Sequence, residues 1–127
     1  QLGVRIILVQ DGKVLLVRHT YMAGWHFPGG GMQRWETPLE AAAREAREEA
    51  GVELLEPPTL VGIFTSYGGG KSDHVAVYIC HKYRVRRATD KLEIAERKLF
   101  ALDALPLGLS ERWHKLLREL TSGNVQP

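Results

Sequence analysis

The chain has 127 residues, 44% of them apolar, and a formal net charge of +2. That is material for one domain with one core, and too little charge to argue by itself for a nucleic-acid partner, so no DNA partner is expected. A lone cysteine, Cys80, excludes an intrachain disulfide and a cysteine-based zinc site.

Residues 4–9, then Asp11-Gly12, then residues 14–18 predict a hairpin, because both turn positions of an Asp-Gly loop favour φ > 0. No apolar run approaches the roughly 18 residues of a membrane span. No signal or transit peptide is recognisable, although Gln1 suggests that an initiator Met is missing. The expectation is a cytoplasmic protein with no membrane partner. Residues 19–24 have no clear period and predict a loop. Trp25-His26-Phe27-Pro28 then runs into Gly29-Gly30-Gly31, a stretch suited to close backbone approach or a sharp turn.

Thr37-Pro38-Leu39-Glu40 predicts a helix start, with Thr37 as N-cap, Pro38 in the first helical position and Glu40 closing a capping box. Residues 41–50 are rich in Ala, Glu and Arg and continue the helix until Gly51 ends it. Strands are expected over residues 59–67 and 74–85, with a shorter one over 98–102. Cys80 falls in the second of these and is expected to serve packing. Ser110 caps a last helix over residues 111–120, where Trp113, Leu116, Leu117 and Leu120 recur at helical spacing. Strands surrounding two helices predict an α+β or α/β/α sandwich with a mixed sheet.

On the first helix, at about 100° per residue, Glu45, Glu48 and Glu49 share one face. Leu39, Ala43, Ala46 and Ala50 gather on another, the expected core side. Glu45 and Glu49 are like charges at i, i+4, and Glu48 and Glu49 lie where the helix dipole favours cations. A divalent cation would relieve both conflicts, and oxygen ligands are what Mg²⁺ or Mn²⁺ prefers. The alternative for this helix alone is a solvated face laced by Glu40–Arg44 and Arg44–Glu48 pairs.

From Gly30 the chain runs five residues to Glu36, then seven to Arg44-Glu45-Ala46-Arg47-Glu48-Glu49-Ala50-Gly51-Val52. This resembles the signature of the Nudix superfamily, G-x5-E-x7-R-E-U-x-E-E-x-G-U, where U is a bulky aliphatic. The departure is Ala46, a small residue at an aliphatic position. Residues 15–18 and 25–31 resemble the usual approach to that box, and residues 99–106 the usual late strand and turn. The resemblance therefore implies the Nudix α/β/α sandwich, a mixed β-sheet between helices, over residues 1–127.

It also implies chemistry: hydrolysis of a nucleoside diphosphate linked to another moiety, with Mg²⁺, or Mn²⁺ in its place. Glu45, Glu48 and Glu49 are the implied metal ligands, with the Gly29 carbonyl beside them. Arg44 is expected to orient Glu45 or a neighbour, and Glu36 to support the loop-to-helix geometry. For the general base the candidates are Glu45, Glu93 and Glu96. Arg18, His19 and Lys71 are candidates to meet phosphates, and Tyr21, Trp25, Phe64 and Tyr67 to stack on a base. The resemblance implies a nucleotide small molecule as substrate: a nucleoside triphosphate, a nucleotide sugar such as ADP-ribose, a dinucleotide or a capped RNA end. The alternative is a nucleotide sensor without turnover, against which an intact box argues. Nudix domains are often dimers, so a homodimer is a further expectation.

Overall fold

The computed structural model describes residues 2–68, 71–86 and 94–122, and of residues 66–72 no side chain. At its centre runs β1 (Leu2–Gln10), whose Ile6, Ile7 and Leu8 have no exposed surface. Burial of each such side chain contributes about 1.5–3 kcal/mol. Asp11 and Gly12 turn the chain with φ of 56° and 75°, as the Asp-Gly dipeptide predicts, into β2 (Lys13–His19). The short strands β3 (Trp25–His26) and β4 (Gly29–Gly31) follow.

Two strands share one edge of β1. Val9 and Gln10 pair with Val14 and Lys13 of β2, whereas Gly3, Val4 and Arg5 pair with Gly31, Gly30 and Gly29 of β4. The edge thus forks, and the fork positions the site described below. The glycine run forms a short strand that approaches β1 closely, one of the two roles expected of it. The reason is steric: a Cβ on Gly29 would lie 2.1 Å from the Val4 carbonyl oxygen. Only a residue without a side chain lets this backbone pair so closely.

α1 (Pro38–Glu45) begins as expected. The Glu40 amide donates to Thr37 Oγ1 at 3.1 Å, and the Thr37 amide to Glu40 Oε1 at 2.9 Å. Its continuation differs from the expected α-helix: residues Ala46–Ala50 form a π turn that ends on Gly51 at φ 69°. The buried face differs too. Ala41, Ala42, Glu45, Ala46, Glu49 and Ala50 are buried, while Leu39 is 42% exposed. The core side of this segment therefore contains two of the carboxylates, which the helical wheel had placed on a separate face.

β5 (Val52–Leu54), β6 (Thr59–Gly68), β7 (Lys71–Cys80) and β8 (Tyr83–Val85) come next. The single strand expected over 74–85 is two strands, because the chain breaks after Cys80 and β8 leaves to pair with β5. β9 (Ile94–Ala101) starts earlier than expected, pairs with β2, and carries Glu96 within it. α2 (Glu111–Thr121) is capped by Ser110 as predicted. The main sheet runs β3-β2-β1-β7-β6, with β4 attached to β1 and β9 to β2. It is mixed, since β1 is parallel to β7 and antiparallel to β2.

Helices cover both faces. Under α1 lie Val4, Ile6, Leu8, Val17, Ala76 and Cys80; under α2 lie Ile7, Val14, Leu16, Phe27 and Val77. This is the expected α/β/α sandwich. Cys80 is fully buried, its thiol near the Lys82 carbonyl at 3.2 Å, and burial raises its pKa. No helix among the described residues is long and apolar enough to cross a membrane.

Candidate active site

The site is built where the π turn meets the fork of the sheet. Small side chains make the meeting possible: Ala42, Ala46 and Ala50 let the helix approach closely, so Glu45 and Glu49 reach the strands at 4% and 5% exposure. Gly30 of β4 faces Glu45 so directly that a Cβ there would lie 2.6 Å from Glu45 Oε2. The Gly29 amide donates to Glu49 Oε1 at 3.1 Å. At the end of β2, buried His19 places Nε2 3.6 Å from Glu49 Oε2. From β9, the Arg97 guanidinium donates to the Glu49 carbonyl and ties the end of the π turn to the sheet.

Arg44 is the hub. Nε and Nη2 donate to Glu36 Oε2 and Oε1 at 2.6 and 3.0 Å, a bidentate pair. Nη1 donates to Glu45 Oε2 at 3.1 Å and to Glu48 Oε1 at 3.2 Å, and Nη2 also donates to the Gly31 carbonyl at 3.0 Å. The bond to Glu36 above all raises the Arg44 pKa, and the same bond holds the Glu36 carboxyl below the usual range. The Gln33 amide donates to Glu36 Oε1 at 2.8 Å, which fixes the loop before α1. Arg44 thus joins Glu36, Glu45, Glu48 and the glycine strand in one hydrogen-bonded group.

Arg5 was not anticipated. Burial pulls its guanidinium below the ordinary arginine value, while Glu49, Tyr21 and Glu45 act in the opposite direction. It donates to the Phe27 carbonyl at 2.9 Å. In the sequence it is one polar residue inside an apolar run, and only the pairing of β1 with β4 brings it to the acids. Beside it opens a cleft of about 330 Å³ lined by Arg5, Gly30, Gly31, Asp73 and His74 among others.

Whether a divalent cation suits this cluster is a question of donors and charge. Glu45, Glu48 and Glu49 offer hard carboxylate oxygens, the ligand type Mg²⁺ and Mn²⁺ prefer. Gly30 leaves space at Glu45 that any other residue would fill. Among the described residues, however, no group of three His, Cys, Asp or Glu side chains stands ready to hold a metal. Glu45 and Glu48 face Arg44, and Glu49 faces the Gly29 amide. The donor set fits, with carboxylates that must turn partly from these partners to hold an ion.

Other expected site residues lie elsewhere. Glu96 pairs with Arg18 at 3.1 Å across β9 and β2, both side chains being over 40% exposed. Consecutive residues of β2 point to opposite faces, so Arg18 and its partner Glu96 lie on the α2 side of the sheet while His19 faces Glu49. The structure therefore does not bring Glu96 to the acids. Trp25 packs edge-on against Phe100 at 4.9 Å beneath Arg18, and Phe64 packs edge-on against Trp113 at 5.7 Å. Neither ring adjoins the cluster. His19 is buried against Glu49 rather than presented to a phosphate. Glu93 and the side chains of Tyr67 and Lys71 lie outside the described residues.

A mixed sheet forked at a glycine strand, with a helix-borne set of acids at the fork, defines the class. The chain belongs to the NUDIX family: the family's NUDIX domain profile matches residues 1–121. It is 49% identical over 57 residues to an RNA pyrophosphohydrolase of Xanthomonas oryzae pv. oryzae, covering 45% of this chain and 27% of that protein. The match thus spans about a quarter of that relative's length. Among solved structures, a MutT NUDIX hydrolase from Burkholderia pseudomallei superposes with a TM-score of 0.83 at 28% identity, covering 95% of this chain and 98% of that one. A UDP-X diphosphatase gives a TM-score of 0.77 at 28% identity, covering 96% of this chain and 63% of that one.

Proposed function

We propose that the chain is a divalent-cation-dependent pyrophosphohydrolase acting on a nucleoside di- or triphosphate derivative. The observation that carries this reading is the burial of Glu45 and Glu49 beside a side-chain-free strand. Buried carboxylates need compensating positive charge, and the guanidinium nearest Glu45 is shared with Glu36 and Glu48, which leaves a role for a further cation. Membership of a hydrolase family and an intact box support the same reaction.

In this reading Glu48, Glu49 and Glu45 hold Mg²⁺, or Mn²⁺ in its place, with the Gly29 carbonyl as a further ligand. When bound, the cation neutralises diphosphate charge and stabilises charge on the leaving phosphate. The chain's own groups do the rest. Arg44 and Glu36 hold the acids and the glycine strand in register, and Arg5 supplies a cation in the lining of the cleft. Water attacks phosphorus as the bridging P–O bond breaks, and its proton passes to Glu45. Glu45 is preferred as base because it lies among the acids, whereas Glu96 is on the other side of the sheet. A cytoplasmic site and a homodimer belong to the same reading, and the mass in solution tests the latter.

The test is phosphate release from a panel of nucleotides, with Mg²⁺ or Mn²⁺ and a coupled phosphatase, comparing wild type with Glu49→Gln. Losing a metal-held charge is worth several kcal/mol, so turnover is expected to fall on the order of 10³-fold. Cleavage by the variant at the wild-type rate would remove Glu49 from the reaction. Nucleotide binding without any cleavage by the wild type would turn the reading into that of a sensor.

A further inference from the structure

Between β4 and α1 the chain turns through Arg34 and Trp35. The Trp35 backbone has φ 69°, a left-handed conformation that suits glycine and strains a bulky residue. Its indole is nevertheless 92% exposed, so packing of the ring does not offset the strain. Strain that gains nothing in stability is characteristic of binding features.

The surroundings specify what could bind. Trp35 lines an open hollow of about 470 Å³ together with Arg34, Glu36, Glu40, Arg44 and Arg47. The two acids are occupied locally, Glu36 by Arg44 and the Gln33 amide, Glu40 by the Thr37 amide. Arg34 and Arg47 are exposed, and their guanidinium groups make neither hydrogen bond nor ion pair among the described residues, Arg47 acting on Glu36 only through space. The hollow therefore offers a stacking surface and two available cations. Arg44 forms the wall between it and the acids, with Nε on Glu36 and Nη1 on Glu45 and Glu48.

We infer that Trp35, Arg34 and Arg47 form a subsite for a second nucleotide of the substrate, its base stacked on the indole and its phosphate held by the guanidinium groups. The chemistry is that of nucleotide-binding surfaces in general, an aromatic face beside cations that follow a backbone. The inference rests on the pyrophosphohydrolase reading for seating the diphosphate at the acids. The second nucleotide can come from a dinucleoside polyphosphate or from the next residue of a 5′-triphosphorylated RNA.

The experiment uses the full chain, with diadenosine tetraphosphate, a 5′-triphosphorylated tetraribonucleotide and ATP as probes. Anisotropy of the labelled oligonucleotide and competition by the other probes, without divalent cation, measure Kd apart from turnover. Trp35→Ala is expected to weaken at least one two-nucleotide ligand by about tenfold more than ATP, with a matching change in kcat/KM. Trp35→Phe should keep most of the binding. Arg34→Ala with Arg47→Ala should flatten the salt dependence of oligonucleotide binding. Trp35→Gly, which suits the left-handed backbone, should weaken binding while leaving Tm equal or higher.

An effect on one ligand alone identifies that source, and an effect on both leaves the subsite common to them. Equal losses on ATP and the two-nucleotide ligands, or none on any, would overturn the subsite. Wild-type protein that binds these ligands through Trp35 but cleaves none would support the subsite and overturn the hydrolase reading.

Discussion

The two faces of the sheet are packed by opposite means. Beneath α2 the contacts are large: Phe27 and Phe64 both meet Trp113, at 5.4 and 5.7 Å, and Leu117 is 1% exposed. Beneath α1 the helix contributes alanines, and the buried polar residues His19, Glu45 and Glu49 lie on this side. Bulky side chains hold a helix at a distance and yield stability through area. Small ones bring its backbone close, so that acids on the same face press against the strands. The α2 face is where this molecule is held together, and the α1 face is where it accumulates charge.

Removing the hub of the charged face should have the largest effect on stability. Arg44→Ala leaves Glu36, Glu45 and Glu48 without their shared guanidinium, all three being part-buried or buried. Breaking such a pair costs about 3–5 kcal/mol, so denaturant titration should show that loss together with collapse of turnover. Leu117→Ala, on the other face, should cost about 2–5 kcal/mol as a cavity forms. Below its lowered Tm, activity per folded molecule should stay at the wild-type level. If Leu117→Ala reduced kcat as strongly as stability, the division between the faces would fail.

The smallest effect is a pH dependence. Arg44 holds the Glu36 carboxyl below the usual range when folded. Its contribution is therefore fully present above the unfolded-state pKa of about 4.3 and is lost as pH falls through the lower folded value. The Tm gap between wild type and Glu36→Gln should be constant near pH 7 and narrow toward about pH 3. A gap that widened with acidity would reverse the assigned sign.

Much of this was readable in order along the chain. Asp11-Gly12, the Thr37–Glu40 capping box, Gly51 and Ser110 each act through their own neighbours, and each ends or starts the element it announces. The spacing Gly30, Glu36, Arg44 likewise picked out residues that meet, since Arg44 joins Glu36 to Glu45 and Glu48. The helical wheel failed where burial depended on a distant partner. Leu39 faces outward beside Leu54 and Leu55, while Glu45 turns inward to Gly30. The glycine run became a strand because β1 was there to receive it.

What the sequence determined alone was therefore local: turns, caps, helical periods, and the list of acids with Arg44 and Arg47 among them. Their conformations depend on φ preferences and hydrogen bonds within a few residues. Tertiary structure decided which acids are buried, that His19 and Arg5 attend them, that Arg18 and Glu96 fall on the other side of the sheet, and that Trp35 stands exposed in a strained turn. Those outcomes rest on strand register and on how closely a helix can approach. Register across β2 and β9 sets Glu96 beside Arg18, and the strand's period-2 alternation then places Arg18 and His19 on opposite faces.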